Sequence, residues 1–281
     1  MDEAVAVRVP ASSANLGPGF DSFAAALSLN LDVEVVRTGS FAVVTELDVA
    51  KDATNLVARA FGAIADPAQY EFRIESQIPL SGGLGSSAAA VVAGLMAAAQ
   101  FTGGDHDLLA LATEIEGHPD NAAAALHGGF VICTDDGVVQ LTVPGGLGAV
   151  LVIPHDAVVT EQARAALPAT VPMADAVHNL ANAAALALAI ERGDLELLAT
   201  SLGDRLHQPP RAALYPRTAE LVEQARSFGA LGATVSGAGP SVLMWCESDA
   251  AAEAEARLAH ATRGWAAVRR VDFAAEGASF R

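Results

Sequence analysis

Residues 79 to 89 read Pro79-Leu80-Ser81-Gly82-Gly83-Leu84-Gly85-Ser86-Ser87-Ala88-Ala89, a glycine- and serine-rich loop that runs directly into an alanine-rich stretch. Unobstructed backbone N–H groups at the positive end of a helix hold anions, and a loop of this length suits a polyphosphate. Before the loop, apolar Phe72, Ile74 and Ile78 alternate with charged Arg73 and Glu75, so the context is strand, proline, loop, helix.

Two other phosphate loops fail the comparison. A Walker A loop needs a lysine before its serine or threonine, and the one lysine of the chain is Lys51. Gly83-Leu84-Gly85-Ser86-Ser87-Ala88 fits G-x-G-x-x-A, but that pattern opens a strand–helix–strand unit with an acidic residue closing the second strand. Here a second helix follows, and Asp105 and Asp107 fall at its start, where they cap N–H groups. A flexible linker is disfavoured by Leu84 and by the apolar residues after Ser87.

At 281 residues with 52% hydrophobic side chains, the chain can bury the cores of two modest domains. The longest apolar run, 88–99, is shorter than the roughly 20 residues a bilayer span needs, so no membrane association is expected. Met1-Asp2-Glu3 lacks the basic start of a signal peptide, and Cys133 and Cys246 are far apart in apolar surroundings, as buried thiols are. A cytoplasmic, reducing location is the expectation. A net charge of −17 repels nucleic acid and also repels ATP, so a nucleotide site must be made locally favourable by amides, a helix end, a divalent cation or arginines.

Strands are predicted at 4–9, 31–36, 41–47, 128–133 and 138–143, the last two as a hairpin across Asp135-Asp136-Gly137, with helices at 55–65, from 86 to about 101, and 105–116. Pro144-Gly145-Gly146 reads as a boundary, dividing the chain into 1–144, carrying the nucleotide loop, and 145–281. The second part alternates strands at 149–153, 233–236, 242–246 and 266–273 with helices near 175–192, 194–206, 214–228 and 249–262.

Two further segments are rich in turn residues: Pro10-Ala11-Ser12-Ser13-Ala14-Asn15-Leu16-Gly17-Pro18-Gly19-Phe20-Asp21, and Ser236-Gly237-Ala238-Gly239-Pro240-Ser241. Read alone, Asp21 is as well explained as a helix cap as by a polar ligand, and the second segment as a tight hairpin. Together with the loop at 79–89, in this order and spacing, they resemble the three signature motifs of the GHMP small-molecule kinases over nearly the whole chain. Glu116-Gly117-His118-Pro119-Asp120-Asn121 followed by Gly128-Gly129, and Thr160 with Arg164-Ala165-Ala166-Leu167-Pro168, are similar to the homoserine kinases within that superfamily.

The resemblance implies an α+β two-domain fold, an N-terminal α/β domain with a left-handed crossover followed by a ferredoxin-like C-terminal domain. It implies an ATP-dependent transfer of phosphoryl to the side-chain hydroxyl of L-homoserine, a step toward threonine, and homodimers are common among such relatives. A mevalonate-type or sugar kinase, or a non-catalytic binding member of the fold, is the alternative.

An amino-acid substrate needs a planar cation for its carboxylate and an acceptor for its ammonium. Arg164 and Arg211 match the family's substrate arginines, Asp21 would accept from the ammonium, and Asn15 and His118 would hold the hydroxyl end, with Gly239 of the third motif nearby. Within the 105–116 helix, Glu116 flanks the apolar face of Leu108, Leu111, Ala112 and Ile115 while Glu114 points away, which makes Glu116 the better Mg²⁺ ligand. Ser86 or Ser87 would add a hydroxyl oxygen. With no lysine near the motifs, direct attack by the substrate hydroxyl is expected, aligned by Asp21 or Asn15, with Asp120 a weaker base candidate.

Overall fold

A computed structural model describes residues 3–156 and 160–281. The first strand, β1 (Ala4–Ala14), pairs antiparallel with β2 (Phe23–Arg37), and both outrun their expected lengths. The added segments, such as Ala11-Ser12-Ser13-Ala14 and Ala24-Ala25-Ala26, are buried and made of small residues, so they show none of the apolar/polar alternation that marks a half-buried strand. Their close packing brings the connection at residues 15–22 deep into the molecule.

A short strand β3 (Ala42–Val44) runs parallel to β4 (Tyr70–Ser76), the two joined through α1 (Leu56–Phe61), and β4 pairs antiparallel with β2. The helix α2 (Ser86–Thr102) is buried nearly all round by Ala89, Val91, Val92, Ala93 and Leu95, as a central helix of small apolar residues must be. At Gly94 a side chain would overlap the Val57 carbonyl, so α1 and α2 cross almost backbone to backbone. After α3 (Leu108–Glu116) comes α4 (Asp120–His127), a helix the sequence concealed: Ala122 to Ala125 are all buried and give no amphipathic signal. The hairpin of β5 (Phe130–Thr134) and β6 (Gly137–Leu141) joins the sheet beside the start of β2.

The second sheet begins with β7 (Leu147–Pro154), after the Pro144-Gly145-Gly146 turn. Helices α5 (Thr160–Ala165), α6 (Met173–Arg192), α7 (Leu195–Ser201), α8 (Gln208–Arg211) and α9 (Pro216–Gln224) lead to the antiparallel pair β8 (Gly232–Val235) and β9 (Val242–Glu247). Then α10 (Ala251–Ala261) returns the chain to β10 (Ala266–Val271). The strand order is β10-β7-β9-β8, all neighbours antiparallel, which is the ferredoxin-like order of fourth, first, third and second. A last strand, β11 (Ser279–Phe280), crosses back to pair with β1, so the tail of the chain belongs to the first sheet.

The helix expected over 194–206 stops at Ser201, because the Asp204 carboxylate accepts the backbone N–H groups of Leu206, His207 and Gln208 and starts a new turn there. The helix expected over 214–228 begins at Pro216 and tightens into a 3₁₀ turn before Gly229. By length and composition α6, with a mean hydropathy of 1.3, could cross a bilayer; here it buries Leu186, Ala189 and Ile190 and leaves Met173, Val177 and Leu180 exposed. Cys133 and Cys246 are both buried free thiols, and burial pushes them up to about 12 and about 11.

Candidate active site

The loop at residues 80–87 forms the middle wall of a cavity of about 810 Å³. Gly85 sits at the N-cap of α2 with φ +69°, and Ser81 and Gly83 also have positive φ, which turns successive N–H groups toward the start of the helix. The other two signature segments hold this loop from behind. Ser12 donates its N–H to the Leu84 carbonyl (3.2 Å) and its hydroxyl to Asn121 Oδ1 (2.8 Å), while Ser236 Oγ donates to the Gly83 carbonyl at 2.6 Å.

One end of the cavity is lined by Leu47, Val49, Leu56, Val57 and Ile74, with Asn55 capping α1 there. No motif marked this end in the sequence; its residues are apolar ones scattered over a loop, a helix start and a strand. Lys51 lies outside the lining although Ala50 is part of it.

The opposite end gathers Asn15, Asp21, His118, Asp120, Arg164 and Arg211, which come from four separate stretches of chain. The Asn15 amide is engaged internally: Oδ1 accepts from the Asp21 N–H (2.9 Å) and Nδ2 donates to the Gly237 carbonyl (2.7 Å). Its geometry therefore ties the first motif to the third rather than presenting a catalytic amide. Asp21, with φ +52°, forms a two-pronged ion pair with Arg164 at 3.0 and 3.1 Å, so the groups expected at opposite ends of an amino acid hold each other. That pair is about 40% exposed, which makes it inexpensive to open.

His118 Nδ1 lies 2.8 Å from Asp120 Oδ1, and the same oxygen accepts the Asn121 N–H. The hydrogen bond to Asp120 raises the His118 pKa above the ordinary value of 6.5, against the opposing effect of burial. Asp120 is thus committed to orienting His118, which argues against its acting as the base.

Arg211 is buried, 1% exposed, and among the described residues no carboxylate pairs with it. Its Nε donates to the Ala163 carbonyl at 2.9 Å and its Nη1 lies 3.2 Å from His207 Nδ1, while the Phe20 ring lies under the guanidinium. Burial lowers its pKa from the usual arginine value, the mark of a desolvated cation short of an anion.

Gly239 is not at the cavity. A side chain there would collide with the Tyr215 ring, and the third motif faces the cavity through Gly237 and Ala238 instead. Glu116 lines the cavity and accepts from Ser87 Oγ at 2.6 Å, whereas Glu114 does not line it. The hydroxyl that reaches the carboxylate is that of Ser87, one residue further into α2 than Ser86. Among the described residues no cluster of three histidine, cysteine or acidic side chains could hold a metal by itself. The side chain of Thr160 lies outside the described residues.

Residues 48–129 match the GHMP kinases N terminal domain and residues 186–262 the GHMP kinases C terminal domain. The chain belongs to the GHMP kinases. It is 43% identical to a homoserine kinase of Streptomyces avermitilis, over 98% of this chain and 95% of that protein. It is 42% identical to the homoserine kinase of Deinococcus radiodurans over 84% of this chain and 82% of that protein. The crystal structure of homoserine kinase from Cytophaga hutchinsonii superposes with a TM-score of 0.87 at 29% identity, covering 100% of this chain and 98% of that one. As a GHMP kinase with these relatives, the protein is an ATP-dependent phosphotransferase acting on an alcohol group.

Proposed function

We propose that this GHMP kinase transfers the γ-phosphoryl of ATP to the side-chain hydroxyl of L-homoserine, giving O-phospho-L-homoserine. The observation that carries the reading is the end of the cavity where the Asp21 carboxylate pairs with Arg164 beside a second arginine, the buried Arg211, which has no carboxylate partner among the described residues. That is the complement of an α-amino acid. The substrate zwitterion replaces the Asp21–Arg164 pair with two new ones, its ammonium on Asp21 and its carboxylate on Arg164 and Arg211, at no change in net charge. Mevalonate has no ammonium for Asp21, and a sugar has neither group.

The apolar end of the cavity suits a nucleobase, which leaves the phosphates over the N–H groups of residues 82–87. Glu116 and Ser87 fit Mg²⁺, which takes few protein oxygens beside phosphate and water. When bound, the ion neutralises charge on the β- and γ-phosphates. Glu116→Gln is expected to raise the Mg²⁺ concentration for half-maximal activity several-fold, and Glu114→Gln to leave it unchanged; the reverse order in a Mg²⁺ titration would assign the ion to Glu114 instead.

With Asn15 and Asp120 engaged, neutral His118 is the group left to accept the substrate hydroxyl's hydrogen bond through Nε2 and align it, the proton passing late to the transferred phosphoryl. Since the raised pKa keeps His118 protonated to higher pH than a free histidine, kcat/KM should fall with decreasing pH, beginning above 6.5. His118→Phe should lower kcat about 100-fold and flatten that limb. A limb that persists in the variant would belong to another group.

The functional reading is tested by ADP release with homoserine, mevalonate and galactose. Homoserine alone should support turnover; preference for either of the others, or ATP binding without turnover of any, overturns it.

A further inference from the structure

The buried cation at the amino-acid end of the cavity is held by a second buried side chain to which nothing above gives a role. His207 is fully buried on α8's approach, one helical turn before Arg211. Its two ring nitrogens have different partners. Nε2 lies 2.9 Å from the Gly17 carbonyl, which can only accept, so Nε2 carries the hydrogen. Nδ1 lies 3.2 Å from Arg211 Nη1, which can only donate, so Nδ1 offers a lone pair. Only the neutral Nε2–H tautomer satisfies both. Burial also lowers the His207 pKa, in the same direction, with the Asp204 carboxylate 3.7 Å from Nε2 opposing it.

The imidazole also stacks on Phe20, ring centres 5.3 Å apart, and Phe20 in turn underlies the Arg211 guanidinium. His207 therefore joins the loop that carries Asp21 to the helix that carries Arg211. With Nε turned to Ala163 and Nη1 to His207, Nη2 has no hydrogen-bond acceptor among the described residues, and Arg211 lines the cavity.

We propose that His207 is a positioning residue for the amino-acid substrate: its Nδ1 lone pair fixes the guanidinium plane of Arg211 so that the free edge meets the substrate carboxylate. This rests on the homoserine reading above. A planar fork binds a carboxylate well only in one orientation. A guanidinium free to rotate about its stem would lose that geometry while keeping its charge, so the effect falls on amino-acid binding and spares the nucleotide.

The test measures KM for homoserine and for ATP in the full-length enzyme. His207→Leu should raise the homoserine KM about tenfold, the scale of one charge-assisted hydrogen bond, and leave the ATP KM within about twofold. His207→Gln should recover most of the loss, since its amide offers a donor and an acceptor at a spacing close to that of the two ring nitrogens. In an Arg211→Ala background, His207→Leu should add almost nothing, because the residue it acts through is gone. An unchanged homoserine KM in His207→Leu, an equal rise in both KM values, or full additivity with Arg211→Ala overturns the proposal. A wild-type enzyme that does not turn over homoserine defeats the functional reading beneath it; turnover with any of those three results defeats this inference alone.

Discussion

Arg211→Ala is expected to lower kcat/KM for homoserine about a thousandfold while the KM for ATP stays within about twofold. Truncating one partner of a buried, hydrogen-bonded charge pair costs about 2–5 kcal/mol, and each 1.4 kcal/mol is about tenfold. Arg211 meets the condition for the middle of that range, being 1% exposed with no carboxylate among the described residues paired to it. Arg164, about 40% exposed and already paired with Asp21, should matter less, and Arg164→Ala is expected to cost about fivefold at most. The two substitutions should differ in stability as well. Removing Arg211 leaves the Ala163 carbonyl and His207 Nδ1 buried without a donor, about 1–3 kcal/mol of loss, but it also removes a desolvated charge, so the melting temperature should move little. Steady-state kinetics with both substrates, with thermal melts alongside, decides it. An Arg164 effect larger than that of Arg211, or an Arg211→Ala variant with unaltered homoserine kinetics, would mean that the buried cation serves the fold and not the substrate.

The parts of the site that were legible in the sequence are those whose backbone is unusual. Glycines at 83 and 85 stand where the loop needs positive φ, and their spacing announces the phosphate wall whatever surrounds it. The interior of the first sheet was less legible: residues 11–14 and 24–26 are small and buried, so the period that marks a half-buried strand is missing there, and α4 was hidden in the same way by four buried alanines. Long-range partnerships could not be read at all. Asn15 carries an amide suited to a ligand, yet its two ends are used up by Asp21 and by Gly237, 222 residues away. Gly239 shares a motif with Gly237, but only the fold decides that one faces the cavity and the other packs on Tyr215. His207 stood beside a recognisable arginine and gave no sign of its role, because that role exists only when Gly17 and Arg211 are brought to its two nitrogens.

Gly85→Val is expected to abolish ATP binding, and the structure changes the reason from that suggested by the loop alone. A side chain at Gly85 would overlap Ser12 Oγ and lie 3.1 Å from Asn121 Oδ1, so its first collision is with the strand behind the loop and not with phosphate. Even alanine forces a choice. Either the residue leaves φ +69°, a conformation costing about 1–2 kcal/mol for a residue with a side chain, or the Ser12–Asn121 hydrogen bond breaks and the loop moves outward over the anion site. Both displace the N–H groups at the start of α2, and displacement by about 1 Å is enough to cost about 100-fold in rate. Gly85→Ala should therefore lower the rate by about that factor and weaken ATP binding measurably in a folded protein. The opposite end of the same helix supplies the control: Gly103 has φ +67° and open space where its side chain would be, so Gly103→Ala carries the backbone strain without the collision and should leave ATP affinity unchanged. Adding Ser12→Gly to Gly85→Ala removes the hydroxyl that is struck and should recover part of the lost affinity. Calorimetric titration with ATP separates the cases. Undiminished affinity in Gly85→Ala, or equal losses in Gly85→Ala and Gly103→Ala, would show that the start of α2 is not where the phosphates bind.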